Sequence, residues 1–304
     1  MDATQTTTFL QGLAHTLAKP PRTPILRKPD EYGLAYEEVT FSAADGVELH
    51  GWFIPGSSNE LVIHNHFSPA TRYGFPGHLE GFQASGGFEV NFLPKYKALH
   101  DAGYSILTYD MRNHGESGSS ANELCGVGYW EWQDVIASLE FARTWEKTAG
   151  KAISLQSMCM GANSTLWAME KRPEAFADIQ SLILIQPLHG QTCIERSCEA
   201  MGIDVEGGLK EFAPINEDLT GLTFADHDMR PLIKHVKVPT LMLQVRQDMV
   251  SRESDIQELF EMLDVADKDI IWVEDTPWRF HGYTYFSEHP ERMVRWYDAH
   301  SRAQ

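Results

Sequence analysis

The sequence predicts an α/β chain: a mostly parallel eight-stranded sheet, opened by an antiparallel hairpin and covered by helices on both faces. Three observations carry this. Short apolar runs alternate with helix-like stretches along most of the 304 residues. Most of the runs are continuously hydrophobic, as strands buried on both faces are. The first two are joined by the turn-forming segment Ala43-Ala44-Asp45-Gly46, which makes them a hairpin and not a crossover unit.

Taken in order, residues 34–41 and 47–54 form that hairpin, and 61–63 is a short strand running into an irregular loop. Residues 91–102 read as a helix stopped by Gly103. The buried strand 104–109 follows, then a long amphipathic helix over 129–148 and a strand from Ala152. The next helix reaches Lys171 and stops before Pro173. Strand 181–185, strand 239–245, a helix over 251–263, strand 269–273 and a helix from Pro290 complete the set. The stretch 188–235 breaks the alternation. It is polar, contains Gly207-Gly208 and has no clear strand, so it reads as a lid inserted over the carboxyl edge of the sheet, where open α/β sheets bind ligands. The expected organisation is a core domain of residues 1–187 and 236–304 with the lid 188–235.

Composition narrows the function. The chain is 42% hydrophobic with a formal net charge of −18, so its field repels phosphate backbones and anionic lipid. Neither nucleic acid nor a membrane is expected as a partner. Residues 1–19 lack the basic and apolar regions of a signal peptide, and four cysteines in unlike surroundings suggest reduced thiols in the cytoplasm.

The most informative segment is Ala152–Gly161, AISLQSMCMG. A strand ends near Ser157, Cys159 sits at the turn, and a helix starts near Met160. Small residues two positions to either side of Cys159 are what a nucleophile elbow needs, because its tight turn brings backbones together. A packed core thiol would give the same string, so context decides. That context is Tyr109-Asp110-Met111-Arg112-Asn113-His114-Gly115-Glu116-Ser117, together with Asp248 after the strand PTLMLQV and His281 after DIIWV.

On these motifs the chain resembles the α/β-hydrolase superfamily over roughly residues 35–300. It departs from the usual pattern with Ser157 for glycine, Cys159 for serine and Asn113 for glycine. The resemblance implies a structural role for Asp110, Arg112 and His114. It also implies a catalytic triad in the superfamily's order, Cys159, Asp248, His281. Cys159 would attack as the thiolate, favoured by the helix N-terminus. His281 would move the proton and Asp248 would orient the imidazole. Glu274 and Asp275 compete for the acid position. Oxyanion donors would be the Met160 N–H and one from His64-Asn65-His66-Phe67, Phe67 first and His66 second. A His64-x-His66 metal pair has no matching third ligand, and neither metal nor cofactor is expected.

Tyr73, Phe75, Trp278 and Phe280 are candidate pocket residues, and Arg72, Arg246 and Arg279 are open candidates for a substrate anion. A thiolate is a better leaving group than an amine, so the expected substrate is a small acyl ester, lactone or thioester, free or borne on a carrier or coenzyme A. Nucleophile type likens the chain to dienelactone hydrolases and to cysteine acyltransferases. Acyl hydrolysis through an acyl-cysteine is the first reading and acyl transfer or cyclisation the second. A non-catalytic ligand-binding protein on the same fold is the remote alternative.

Overall fold

The computed structural model describes residues 2–83 and 86–301, so residues 84 and 85 of the loop 68–90 lie outside the described residues. The strands are β1 (Glu37–Ser42), β2 (Glu48–Ile54), β3 (Glu60–Asn65), β4 (Gly74–Phe75), β5 (Val90–Asn91), β6 (Ser105–Tyr109), β7 (Ala152–Met158), β8 (Leu182–Ile185), β9 (Thr240–Val245) and β10 (Lys268–Val273). The helices are α1 (Ala3–Ala18), α2 (Leu93–Asp101), α3 (Trp132–Thr144), α4 (Met160–Lys171), α5 (Gly190–Met201), α6 (Val205–Thr220), α7 (Arg230–Ile233), α8 (Glu253–Met262), α9 (Phe280–Glu288) and α10 (Pro290–His300). Eight strands form one sheet in the order β1-β2-β6-β3-β7-β8-β9-β10, and β4 pairs with β5 apart from it. The first two strands are antiparallel to each other, β2 is antiparallel to β6, and the remaining pairs are parallel. The expected mixed α/β architecture is the one observed.

Side chains alternate between the two faces with the strand period of two. Leu61, Ile63, Leu107, Leu155, Leu184 and Met242 point into one core with α3, α4 and α8. Val62, Ile106, Ile183, Ile185, Leu241 and Leu243 point into the other, with α2, α9 and α10. Every residue of β3, β6, β8 and β9 is buried, which explains the continuous apolar runs.

Two regions differ from the sequence reading. Residues 3–18 form α1, started by a capping box in which Asp2 accepts from the Gln5 N–H and the Gln5 amide accepts from the Asp2 N–H. The stretch 188–235, which showed no clear strand, is largely helical, with α5, α6 and α7. Asp204 caps α6 by accepting from the Gly207 N–H at 2.7 Å. Leu10 and Ala14 of α1, Ile194 and Cys198 of α5, and Phe212 of α6 share a third apolar cluster. The N-terminal helix therefore packs with α5 and α6. No helix among the described residues is long and apolar enough to cross a membrane.

Candidate active site

Cys159 lies at φ 48° and ψ −110°, between the end of β7 and the start of α4. An L-residue holds positive φ only where the surroundings enforce it. Here the Cys159 N–H donates to the Ile185 carbonyl at 2.9 Å and its carbonyl accepts from the Asn163 N–H at 2.8 Å. Gly161 is required for a measurable reason: a Cβ there would lie 2.5 Å from the Asn65 carbonyl oxygen and 2.7 Å from that of His66. Ser157 is hydrogen-bonded to Asn65 and Thr165, tying β7 to β3 and α4. Cys159 is 6% exposed. Met160 is the first residue of α4, and the first N–H groups of a helix have no acceptor within it.

The loop after β3 is held by His66. Its Nε2 accepts from the Met111 N–H at 2.9 Å, so its Nδ1–H is the donor to the Phe67 carbonyl, also at 2.9 Å. The His66 carbonyl accepts from the Gly161 N–H at 3.1 Å, joining this loop to the elbow. His64 is engaged as well, by the Tyr96 hydroxyl at 2.7 Å and Lys95 Nζ at 2.9 Å. Burial pushes both imidazoles down, His66 to about 3, and also pushes Lys95 well below the usual range for an amine. All four ring nitrogens of the His64-x-His66 pair therefore have protein partners.

Asp248 is buried at the end of the β9 segment, as its motif implies. Its carboxylate accepts from the Gln244 amide at 3.0 Å and pairs with Arg279. Arg279, itself buried, also donates Nε–H to the Tyr283 hydroxyl at 2.8 Å, Nη1–H to Ser251 at 3.2 Å and Nη2–H to the Gln186 carbonyl at 2.5 Å. Burial opposes its charge, but Asp248, Tyr283 and Cys159 hold the guanidinium protonated, above even the ordinary arginine range. Arg279 and Tyr283 are both electrostatic neighbours of Cys159. Cys193 on α5 is a further neighbour of Cys159, and burial pushes its thiol up to about 12.

His281 follows β10, the eighth strand of the sheet. It sits in the first turn of α9, with Nδ1 bonded to the Thr276 hydroxyl at 2.6 Å and its ring stacked on Phe88 at 4.8 Å. Arg279 pairs with Asp248 and has Cys159 as an electrostatic neighbour, and the His281 backbone bonds Trp278 and Thr284. Of the competing acids, Glu274 pairs with Arg246 on the surface and Asp275 occupies a positive-φ turn. Arg246 is thus spent on Glu274 and Glu253, and Arg72 on Asp110 and Glu116.

The aromatic candidates are mostly packing groups. Phe75 and Phe280 lie 5.4 Å apart in the core, Tyr73 donates its hydroxyl to Glu89, and Trp278 is 40% exposed. Gln186 was not signalled by any motif. It holds φ 49°, its amide donates to the Arg279 carbonyl at 2.8 Å, and a Cβ on Gly282 would strike that amide at 2.6 Å. The glycine beside His281 therefore serves a close approach that seats the Arg279 segment.

No protein-family profile matches the chain, and no curated protein is significantly similar to it. Solved structures are similar. The Pyrococcus furiosus esterase Pf2001 superposes with a TM-score of 0.70 at 20% identity, covering 93% of this chain and 98% of that one. An acetyl xylan esterase from Paenibacillus sp. R4 gives 0.59 at 16% identity over 99% and 100%. A dienelactone hydrolase from Anabaena variabilis gives 0.55 at 14% identity over 88% and 99%. The chain has the α/β-hydrolase fold.

Proposed function

We propose that the chain is an enzyme that cleaves an ester, lactone or thioester by forming an acyl-cysteine at Cys159. The observation that carries this is the backbone of Cys159, held at positive φ on a strand-to-helix turn directly before the Met160 N–H. Such a turn presents one side chain and places a helix N-terminus where the tetrahedral oxyanion forms. The Phe67 N–H is the proposed second donor, since the peptide before it is anchored to Gly161. The esterase and dienelactone hydrolase names among similar structures support ester cleavage.

The helices α1, α5 and α6 are proposed as the lid. Beneath them a cavity of about 40 Å³ is lined by Val127, Asn163, Leu188, Cys193, Ile194 and Phe212, among others, and Cys193 neighbours the nucleophile. An apolar acyl group suits these walls. A second reading, acyl transfer or cyclisation from the same intermediate, is favoured by Arg279, which takes up the carboxylate of Asp248. Arg279 stays protonated and cannot serve as a base toward water.

Incubation with a panel of activated esters, lactones and acyl thioesters, followed by intact mass, tests the reading. One acyl group should appear on Cys159, and Cys159→Ala should abolish both adduct and turnover. Turnover in Cys159→Ala, or an adduct on another residue, overturns it. Adding an amine or thiol to the trapped acyl-enzyme separates transfer from hydrolysis.

A further inference from the structure

We propose that the cavity beneath α1, α5 and α6 selects the substrate: it takes a short, uncharged aliphatic acyl chain, and Phe212 and Phe224 form the wall that limits its length. This rests on the acyl-cysteine reading. One end of the cavity adjoins the nucleophile. Asn163, which lines it, donates its N–H to the Cys159 carbonyl at 2.8 Å. Leu188, also lining it, lies just beyond Ile185, whose carbonyl accepts from the Cys159 N–H at 2.9 Å. Leu188 and Cys193 share one apolar cluster with Cys159.

The walls exclude charge. Among the described residues that line the cavity none is Asp, Glu, Lys or Arg, in a chain with 43 acidic and 25 basic residues. The polar side chains that do line it are turned onto backbone. Asn163 donates its amide hydrogens to the Leu188 carbonyl at 2.9 Å and the Val127 carbonyl at 3.2 Å, and its oxygen accepts from the Leu188 N–H at 3.0 Å. Asn216 donates to the Leu222 carbonyl and Thr220 to the Asn216 carbonyl, each at 2.7 Å. Burial pushes the His227 imidazole below its usual range, so that ring is neutral at pH 7. A carboxylate or ammonium on the acyl chain would enter with no partner of opposite charge, as a buried unpaired ion. An alkyl chain meets matching surface.

Length follows from volume. The cavity holds about 40 Å³. A water-sized group takes roughly 10–15 Å³, so about three methylene or methyl groups fit beyond the carbonyl carbon, an acyl chain of about four carbons. The wall away from the elbow comes from the lid. Phe212 of α6 and Phe224 beyond it stack at 5.9 Å with an interplanar angle of 21°. Phe212 is buried and shares its apolar cluster with Leu10 and Ala14 of α1, which hold the ring from behind. On the α1 side Ala18 lines the cavity with a single methyl group.

A chain-length series tests this. Acylation of the whole chain by 4-nitrophenyl acetate, butyrate, hexanoate and octanoate is followed by intact mass in wild type, Phe212→Ala and Ala18→Leu. Butyrate should react fastest with wild type, and octanoate about 10²-fold more slowly. Hexanoate should overtake butyrate in Phe212→Ala, and acetate should overtake it in Ala18→Leu, which fills the cavity. Octanoate as fast as butyrate in wild type, or a preference that neither variant moves, overturns the proposal. The Ala18→Leu arm stands even if Phe212→Ala fails to fold. Charge is tested without chemistry, by calorimetry on Cys159→Ala. Butyramide should bind, and succinamate, which ends in a carboxylate, should not. Equal binding of the two overturns the exclusion of charge. If no ester acylates Cys159 while butyramide binds, and Ala18→Leu removes that binding, the acyl-cysteine reading falls and the selectivity of the cavity stands. If butyramide does not bind either, both fall.

Discussion

Two buried arginine–aspartate assemblies sit at carboxyl ends of strands of the same sheet, and they differ in what they leave unspent. In the turn after β6, Asp110 accepts from the Arg72 N–H at 2.7 Å, the Glu116 N–H at 2.8 Å and Arg72 Nη1 at 2.5 Å. Arg112 donates its N–H and Nε–H to Asp134, each at 2.8 Å, and Nη1 and Nη2 to Asp45 at 2.6 and 3.1 Å. His114 closes the turn through the Arg112 carbonyl at 2.8 Å and Ser68 at 2.9 Å. These contacts return to the chain's own loops. At the other assembly, Arg279 anchors its own segment in the same way, but its four acceptors, Tyr283, Asp248, Ser251 and the Gln186 carbonyl, take four of its five N–H hydrogens. The residue types are shared, and what differs is the remaining hydrogen.

Removing one partner from each assembly separates the two roles. Asp134→Ala leaves the Arg112 N–H and Nε–H without their acceptor inside the core, with Asp45 the remaining carboxylate on the guanidinium. Breaking a buried pair this way costs about 3–5 kcal/mol, so the urea midpoint should fall sharply. Acylation per folded molecule should stay near that of wild type. A loss below 1 kcal/mol would break the comparison, because the turn would then not be a structural brace.

This division was half legible in the sequence. The strand–turn–helix string around Cys159, the strand before Asp248 and the structural turn at 109–117 depend on local spacing, and local spacing survives folding. The surroundings of His281 do not: it follows the eighth strand of the sheet, as counted, but within the first turn of helix α9, residues 280–288. Arg279, its N-cap, already has helical dihedrals. Asp248 pairs with Arg279, a contact that counting along the chain does not show. Gln186 had no signal at all, because its positive φ and its fit against Gly282 exist only once β8 and α9 are packed. Helix α1 was missed for a related reason. Its stretch is rich in threonine, and its apolar face gains meaning only against α5 and α6.

Acid should distinguish the assemblies next. Burial lowers the imidazoles of His66 and His114 from the usual 6.5, His66 to about 3. Above pH 6.5 the folded and unfolded chains both hold these rings neutral. Below it the unfolded chain takes up protons that the folded chain refuses, so stability falls as the pH drops from 6.5 toward 3. Between pH 7 and pH 5, His66 alone accounts for about 2 kcal/mol. His66→Gln can still accept from Met111 and donate to Phe67, so it should flatten this slope in urea melts at stepped pH. An equal slope in His66→Gln would mean that the acid sensitivity arises elsewhere than beside the turn.

The smallest effect is expected at His281, and it sharpens the comparison most. Its ring stacks on Phe88 and bonds Thr276, contacts that belong to the edge of the loop 68–90 and not to either arginine assembly. In His281→Gln the amide can still reach the Thr276 hydroxyl, and what is lost is the stacked pair, worth about 0.5–1.5 kcal/mol. Acylation of Cys159 by an aryl ester should change by less than about threefold, under 1 kcal/mol of barrier. The pH profile of iodoacetamide labelling at Cys159 should overlay that of wild type. If instead His281→Gln lowered acylation by orders of magnitude and moved that profile, while Arg279→Met left both in place, the histidine would be the sulfur's partner in a conformation other than this one. Arg279–Asp248 would then be a second structural brace like the one at the turn, and the contrast between the two assemblies would disappear.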